Sequence, residues 1–153
     1  MKIAFHPLPT ETVERIRQTG LDAYGTPVER HHVTGSTRPC RHCLGQTSDA
    51  YLVLAHRPFT TLNPYAETGP IFLCDEDCLA PRPTDRVPDV LRSPAYIVRA
   101  YTARERILYG TGQVTPTGEI AAYAQSLFDN RDVAFVDVRS AANNCFQCRI
   151  TRA

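Results

Sequence analysis

The chain has 153 residues, 42% hydrophobic and 22% charged, which suits one compact domain over residues 1–153 and excludes wholesale disorder. Seventeen basic side chains against sixteen acidic ones leave a net charge of +1, too weak a positive field for a dedicated nucleic-acid binder. No stretch approaches the roughly 18 apolar residues of a membrane helix, so no membrane partner is expected.

Residues 2–5 read as a short strand. Thr10 is placed to cap a helix over 11–19, with Glu11 and Glu14 in its first turn, Val13 and Ile16 on one side, and Gly20 ending it. Residues 28–34 read as a strand, followed by a loop at Gly35, Ser36 and Pro39. Two apolar runs, 50–57 and 70–74, have the length and composition of strands buried on both faces. The loop between them carries Asn63-Pro64-Tyr65-Ala66-Glu67. Residues 79–94 are proline-rich and irregular. Strands are expected near 95–101 and 105–110. Pro116 opens a helix to about Phe128, with Ile120, Tyr123, Ala124 and Leu127 on one stripe. Two last strands, 133–139 and 145–151, are joined by Ser140-Ala141-Ala142-Asn143-Asn144. The sum is an α+β fold: a mainly antiparallel sheet, two helices and long irregular loops.

Six cysteines fall in three close pairs. The N-terminal residues lack the continuous apolar core and cleavage site of a secretory signal, so the expected compartment is the cytoplasm, where thiols stay reduced. Structural disulfides are disfavoured, and the pairs read as metal ligands, redox thiols or core residues. Cys40-Arg41-His42-Cys43 has a two-residue gap that lets a tight turn aim both sulfurs at one tetrahedral ion. Zinc closes such sites with four ligands, so a second pair must converge. Cys74-Asp75-Glu76-Asp77-Cys78, leaving a buried strand, is the preferred partner. The expected ligand set is therefore Cys40, Cys43, Cys74 and Cys78, with zinc as the cofactor and an iron–sulfur cluster as the lesser option. Cys145 and Cys148 sit three apart in a strand and point to opposite faces, which places Cys148 in the core with Val136, Val138, Phe146 and Ile150. A redox dithiol at Cys40 and Cys43 competes with the metal, but the helix that stabilises a thioredoxin-type thiolate is missing after Leu44-Gly45.

A second constellation needs no metal. Lys2 is the only lysine, so sixteen of the seventeen basic side chains are planar forks suited to carboxylate or phosphate. Arg57, Tyr65, Glu67, Arg139 and Asn144 all stand at strand ends or in adjacent loops, where a sheet protein can line a cleft. They form the expected ligand-binding set for a small anionic molecule. Glu67 is the candidate general base if the cleft is instead that of a small enzyme acting on an anionic metabolite. The competing structural reading pairs Arg57 with Glu67 and leaves the asparagines to shape a turn.

The motifs Cys-Arg-His-Cys-Leu at 40–44, Pro-Tyr-Ala-Glu-Thr-Gly-Pro-Ile-Phe at 64–72, Tyr-Gly-Thr-Gly at 109–112 and Val-Arg-Ser-Ala-Ala-Asn-Asn-Cys-Phe-Gln-Cys-Arg at 138–149 resemble the bacterial domain of unknown function 1203 family. The resemblance covers nearly the whole chain. It implies a small stand-alone bacterial protein and supplies no activity. It also implies that His often stands in relatives where Cys74 stands here, and His and Cys can both bind zinc. The functional expectation is a metal-stabilised binding domain with a small polar cleft for an anion. A small enzyme using that cleft and a CxxC thiol redox protein are the alternatives.

Overall fold

The structure, a computed structural model, describes residues 2–153. It has eight strands and two α-helices: β1 (Ile3–His6), α1 (Thr10–Thr19), β2 (Glu29–His32), β3 (Ala50–His56), β4 (Gly69–Cys74), β5 (Ala95–Tyr101), β6 (Gln113–Pro116), α2 (Ile120–Leu127), β7 (Phe135–Ser140) and β8 (Phe146–Arg152). Every named pairing is antiparallel, in a five-stranded sheet ordered β1-β8-β7-β5-β6 and a three-stranded sheet ordered β2-β3-β4. The α+β expectation therefore holds. Among the described residues, no helix is long and apolar enough to cross a membrane.

The larger sheet buries one face under α2. Val98, Ala100, Val136, Val138, Cys148 and Ile150 pack there against Ile120 and Ala124 of the helix and Phe128 just past its end. The smaller sheet packs against α1 through Val13, Ile16, Leu54, Ile71 and Leu73. Its apolar strands are not buried on both faces as their composition suggests: Tyr51, Leu52, Val53 and Ala55 of β3 remain partly exposed. The three strands are covered on one face by α1, the cysteine loops and Phe146 of β8, and the other face stays nearer solvent.

Gly20 ends α1 as expected, in a left-handed conformation (φ 66°) with its N–H donating to the Ile16 carbonyl at 2.8 Å. Thr10 does not cap the helix. It is the first helical residue, after Pro9, and its hydroxyl meets His42 Nε2 at 3.1 Å. The expected strand over 105–110 is also absent. A tight turn places Glu105 at φ 58° and Gly110 at φ 85°, leaving only an isolated Tyr101–Ile107 bridge, and the strand beside β5 forms later at Gln113–Pro116. Pro116 ends that strand, and a single 3-10 turn (Thr117–Glu119) precedes α2.

The last hairpin departs from simple alternation at one point. Val138 faces Cys148, yet Arg139 faces Phe146, so a bulge takes up Gln147. Cys148 and Ile150 join the α2 core, whereas Phe146 is turned to the other face and packs with Cys40, Leu54 and Ile71. Cys148 is fully buried among aliphatic side chains. Cys148→Ser is expected to destabilise the fold by about 1–3 kcal/mol, because the hydroxyl would be buried without a good partner. Thermal and urea unfolding of the two proteins measures it, and unchanged melting would contradict this packing.

Candidate metal centre and polar cleft

After β2 the chain folds into a knuckle. Pro39 bridges Gln46, the Cys40 N–H donates to the Gly45 carbonyl at 2.8 Å, and Leu44 turns the chain at φ 53°. The knuckle is tied to its neighbours by two backbone bonds: Arg41 N–H to the Phe72 carbonyl at 3.1 Å, and Leu8 N–H to the Arg41 carbonyl at 2.8 Å. The second arm is the end of β4 and the turn after it. Arg17 of α1 reaches across and donates to the carbonyls of Cys74, Asp75 and Glu76 at 2.9, 3.0 and 3.0 Å. One planar fork thus shapes the acidic turn that presents Cys78.

These two arms bring Cys40, Cys43, Cys74 and Cys78 together, with all four sulfurs within 4.8 Å of one another. Cys40 Sγ lies 3.9 Å from Cys78 Sγ, and Cys43 Sγ lies 3.8 Å from Cys74 Sγ. All are free thiols. A tetrahedral ion with Zn–S bonds of about 2.3 Å sets its sulfurs about 3.8 Å apart, so this spacing fits a shared ion and is far too long for a disulfide. Cys145 and Cys148 stand outside the cluster: Cys145 is at the loop edge, with its thiol 3.5 Å from the Asn143 carbonyl, and Cys148 is in the core.

Electrostatics separates the thiols. Burial works to raise Cys40, but backbone N–H groups of Cys43, Cys74 and His42 bring it below its ordinary value. Burial, then the neighbouring Cys40, raises Cys74, and burial with Cys40 and Cys43 pushes Cys78 up to about 12. Four thiolates cannot coexist here without a cation. His42 places Nδ1 3.3 Å from Cys78 Sγ while Nε2 faces Thr10. A ring held at both nitrogens can orient a ligating sulfur.

The expected polar cleft is divided by the structure. Glu67 Oε2 bridges Arg99 Nη2 at 2.7 Å and Arg139 Nη1 at 3.1 Å. Arg139 Nη1 also donates to the backbone carbonyl of Asn144 at 3.1 Å. Asn144 itself is exposed and left-handed (φ 57°), so its backbone takes part and its side chain faces outward. Tyr65 pairs with Tyr109 through their hydroxyls at 2.9 Å and lies under the Arg106 guanidinium. Arg57 is not joined to Glu67. It lines a cavity of about 740 Å³ with His6, Arg15, His56 and Arg149.

The residues missing from the sequence reading are those facing the loop from the larger sheet. Arg99, Asp137 and Arg149 are direct cross-strand neighbours on β5, β7 and β8. Asp137, fully buried, takes both Arg149 donors at 2.7 and 3.0 Å, and the Arg149 guanidinium stacks on Phe135 at 3.6 Å. Their signal was the acid between Val136 and Val138, a charge where alternation alone calls for a covered face. Arg41, inside the CxxC, is another: it is only 3% exposed, and burial lowers its guanidinium to about 10.

A family model described as protein of unknown function (DUF1203) matches residues 37–152. The chain belongs to this family. No curated protein and no solved structure matches it. The span shared with DUF1203 holds all four clustered cysteines and the Glu67–Arg139 bridge, whereas α1 and its Arg17 brace lie before it.

Burial, with the guanidinium groups of Arg149, Arg139, Arg15 and Arg57, holds the His56 imidazole down at about 4. A neutral ring of this kind contributes stability that is complete above its unfolded value of about 6.5 and is lost as pH falls toward the folded value. Wild type is therefore expected to lose more stability than His56→Phe between pH 7 and pH 5, measured by urea unfolding at each pH. Equal losses would assign the acid sensitivity to other groups.

Proposed function

We propose that Cys40, Cys43, Cys74 and Cys78 hold one zinc ion, and that the domain it braces binds a small anionic molecule in a reducing compartment. The observation that carries the metal is the four-sulfur cluster, with two of its edges at 3.8 and 3.9 Å. A multi-iron cluster would interpose its own iron and sulfide atoms and spread the cysteines wider, which favours a single ion. The spread of thiol acidities supports the same reading, since a divalent cation offsets the burial and the thiolate repulsion that keep Cys74 and Cys78 protonated. A dithiol exchange role fits less well: Cys40 is fully buried and no helix follows the pair. The role of the ion is structural, because four protein ligands close its coordination shell.

The anion half of the reading rests on a cation set that is almost wholly arginine. Glu67 shares its single negative charge between Arg99 and Arg139, and guanidinium groups with no carboxylate partner are freer still to take an incoming anion.

Protein purified without added metal is expected to carry about one zinc per chain by elemental analysis. Cobalt(II) replacement should give the visible bands of a tetrahedral tetrathiolate site. Cys43→Ser and Cys78→Ser should each lower occupancy and melting temperature, and a strong chelator should lower the melting temperature of wild type. Metal-free protein with unchanged stability, or the absorption of an iron–sulfur cluster, would overturn the zinc assignment.

A further inference from the structure

We infer that a cavity beside the cysteine knuckle, with Arg41 at its base and Arg92 at its rim, binds the oxyanion group, carboxylate or phosphate, of a small organic molecule. The inference deepens the anion half of the proposed function and places it at residues outside the Arg57–Asn144 set. The cavity measures about 410 Å³, within the range of small-ligand sites, and opens between the knuckle, the 90–93 segment and the β7–β8 loop. Ser93, Ser140, Asn143 and Gln147 supply hydroxyls and amides, and no carboxylate lines it.

Arg41 is the deciding residue. At 3% exposure it is almost wholly removed from water, yet it takes part in no ion pair among the described residues. Its Nε and Nη1 donate to the carbonyls of Phe146 and Pro39, which fixes the plane of the fork. Its remaining amino group, Nη2, makes no hydrogen bond among the described residues and is not one of the fully buried donors left without a partner, so it keeps some contact with solvent. No carboxylate faces this guanidinium; the groups able to carry negative charge near it are the thiols of Cys145, Cys148 and Cys40. An anion in the adjoining cavity would complete its donor set and help offset the cost of its burial. Arg92 is exposed at the rim and brings a second fork. Two guanidinium groups with hydroxyl and amide donors and no acid form an oxyanion site rather than a cation site. Phe72, Val90 and Tyr96 form an apolar wall, so the ligand is an organic molecule with an apolar portion as well as a charged end.

The larger cavity beside Arg57 differs in charge: Asp22 contributes a carboxylate to its lining and Arg149 is paired with Asp137, although Arg57 Nε and His56 Nε2 are buried there without hydrogen-bond partners among the described residues.

Calorimetric titration of the chain, purified without added metal and used as isolated, with benzoate, phenyl phosphate and inorganic phosphate tests the site. Phenyl phosphate tighter than benzoate identifies a phosphate ester as the preferred class, and the reverse identifies a carboxylate. Inorganic phosphate should bind more weakly than phenyl phosphate because it leaves the apolar wall unused. Arg92→Ala, an exposed change that leaves the core intact, should weaken the preferred probe by about tenfold, as expected for loss of a charge-assisted bond. Arg41→Gln should weaken it further, and Arg57→Ala should leave it unchanged. If Arg41→Gln does not fold, Arg92→Ala against Arg57→Ala decides. Absence of binding by all three probes at about 10 mM, or loss of binding in Arg57→Ala but not in Arg92→Ala, would overturn the inference. Zinc content measured on the same samples keeps the two readings apart: binding without zinc defeats only the metal assignment, and zinc without binding defeats only this site.

Discussion

The Cys40–Cys43 knuckle and the Cys74–Cys78 turn bring four thiols within 4.8 Å of one another, and much of the surrounding packing follows from holding them there. Neither arm is regular structure, so each needs outside support. The knuckle is pinned to β4 and to the segment entering α1 by backbone bonds at Arg41. The turn is gripped by Arg17, whose guanidinium satisfies three carbonyls. Thus α1 is placed by its apolar side against β3 and β4, and by its basic side against the turn that carries Cys74 and Cys78.

The same knuckle joins the two sheets. Arg41 sends its fork to the Phe146 carbonyl at the start of β8, and the Phe146 ring packs beside Cys40. The bulge at Gln147 makes that possible by turning Phe146 away from the face that holds Cys148. A one-residue insertion in a strand pair is therefore what lets the larger sheet contribute an aromatic anchor to the smaller one.

The face of the larger sheet opposite α2 is unusual in being both covered and charged. Asp137 and Glu67 each take guanidinium donors, and the cations lie over aromatic rings of Phe59, Tyr101 and Phe135. Stacked, bidentate arginines tolerate partial burial better than lysines would, because the flat fork is weakly hydrated and fits both carboxylate and ring. This layer positions the 57–67 loop, which Glu105 secures further by accepting bonds from both Thr60 and Thr61. The Arg41 side chain differs from these cations in having no carboxylate at all, which is why the two basic regions carry different meanings.

The α+β class, α1 with its Gly20 stop, the Cys148 core position and the convergence of the two cysteine pairs were legible in the residues. Each depends on local spacing: periodicity for the elements, and a two- or three-residue gap for thiols that meet across a turn. Residues 105–110 depart from the expected strand because the stretch is diverted by a turn whose left-handed residue, Glu105, is held by a distant loop. The grouping of Arg57 with Glu67 followed from both standing near strand ends, but chain position does not say which way a long side chain reaches. Glu67 chose Arg99 and Arg139 because sheet register sets those two forks side by side above the loop. By itself the sequence determined which residue types were available, the element pattern and the thiol spacing. Only the tertiary structure decided which charges neutralise one another and which, like Arg41, are buried alone, because that depends on distances between segments far apart in the chain.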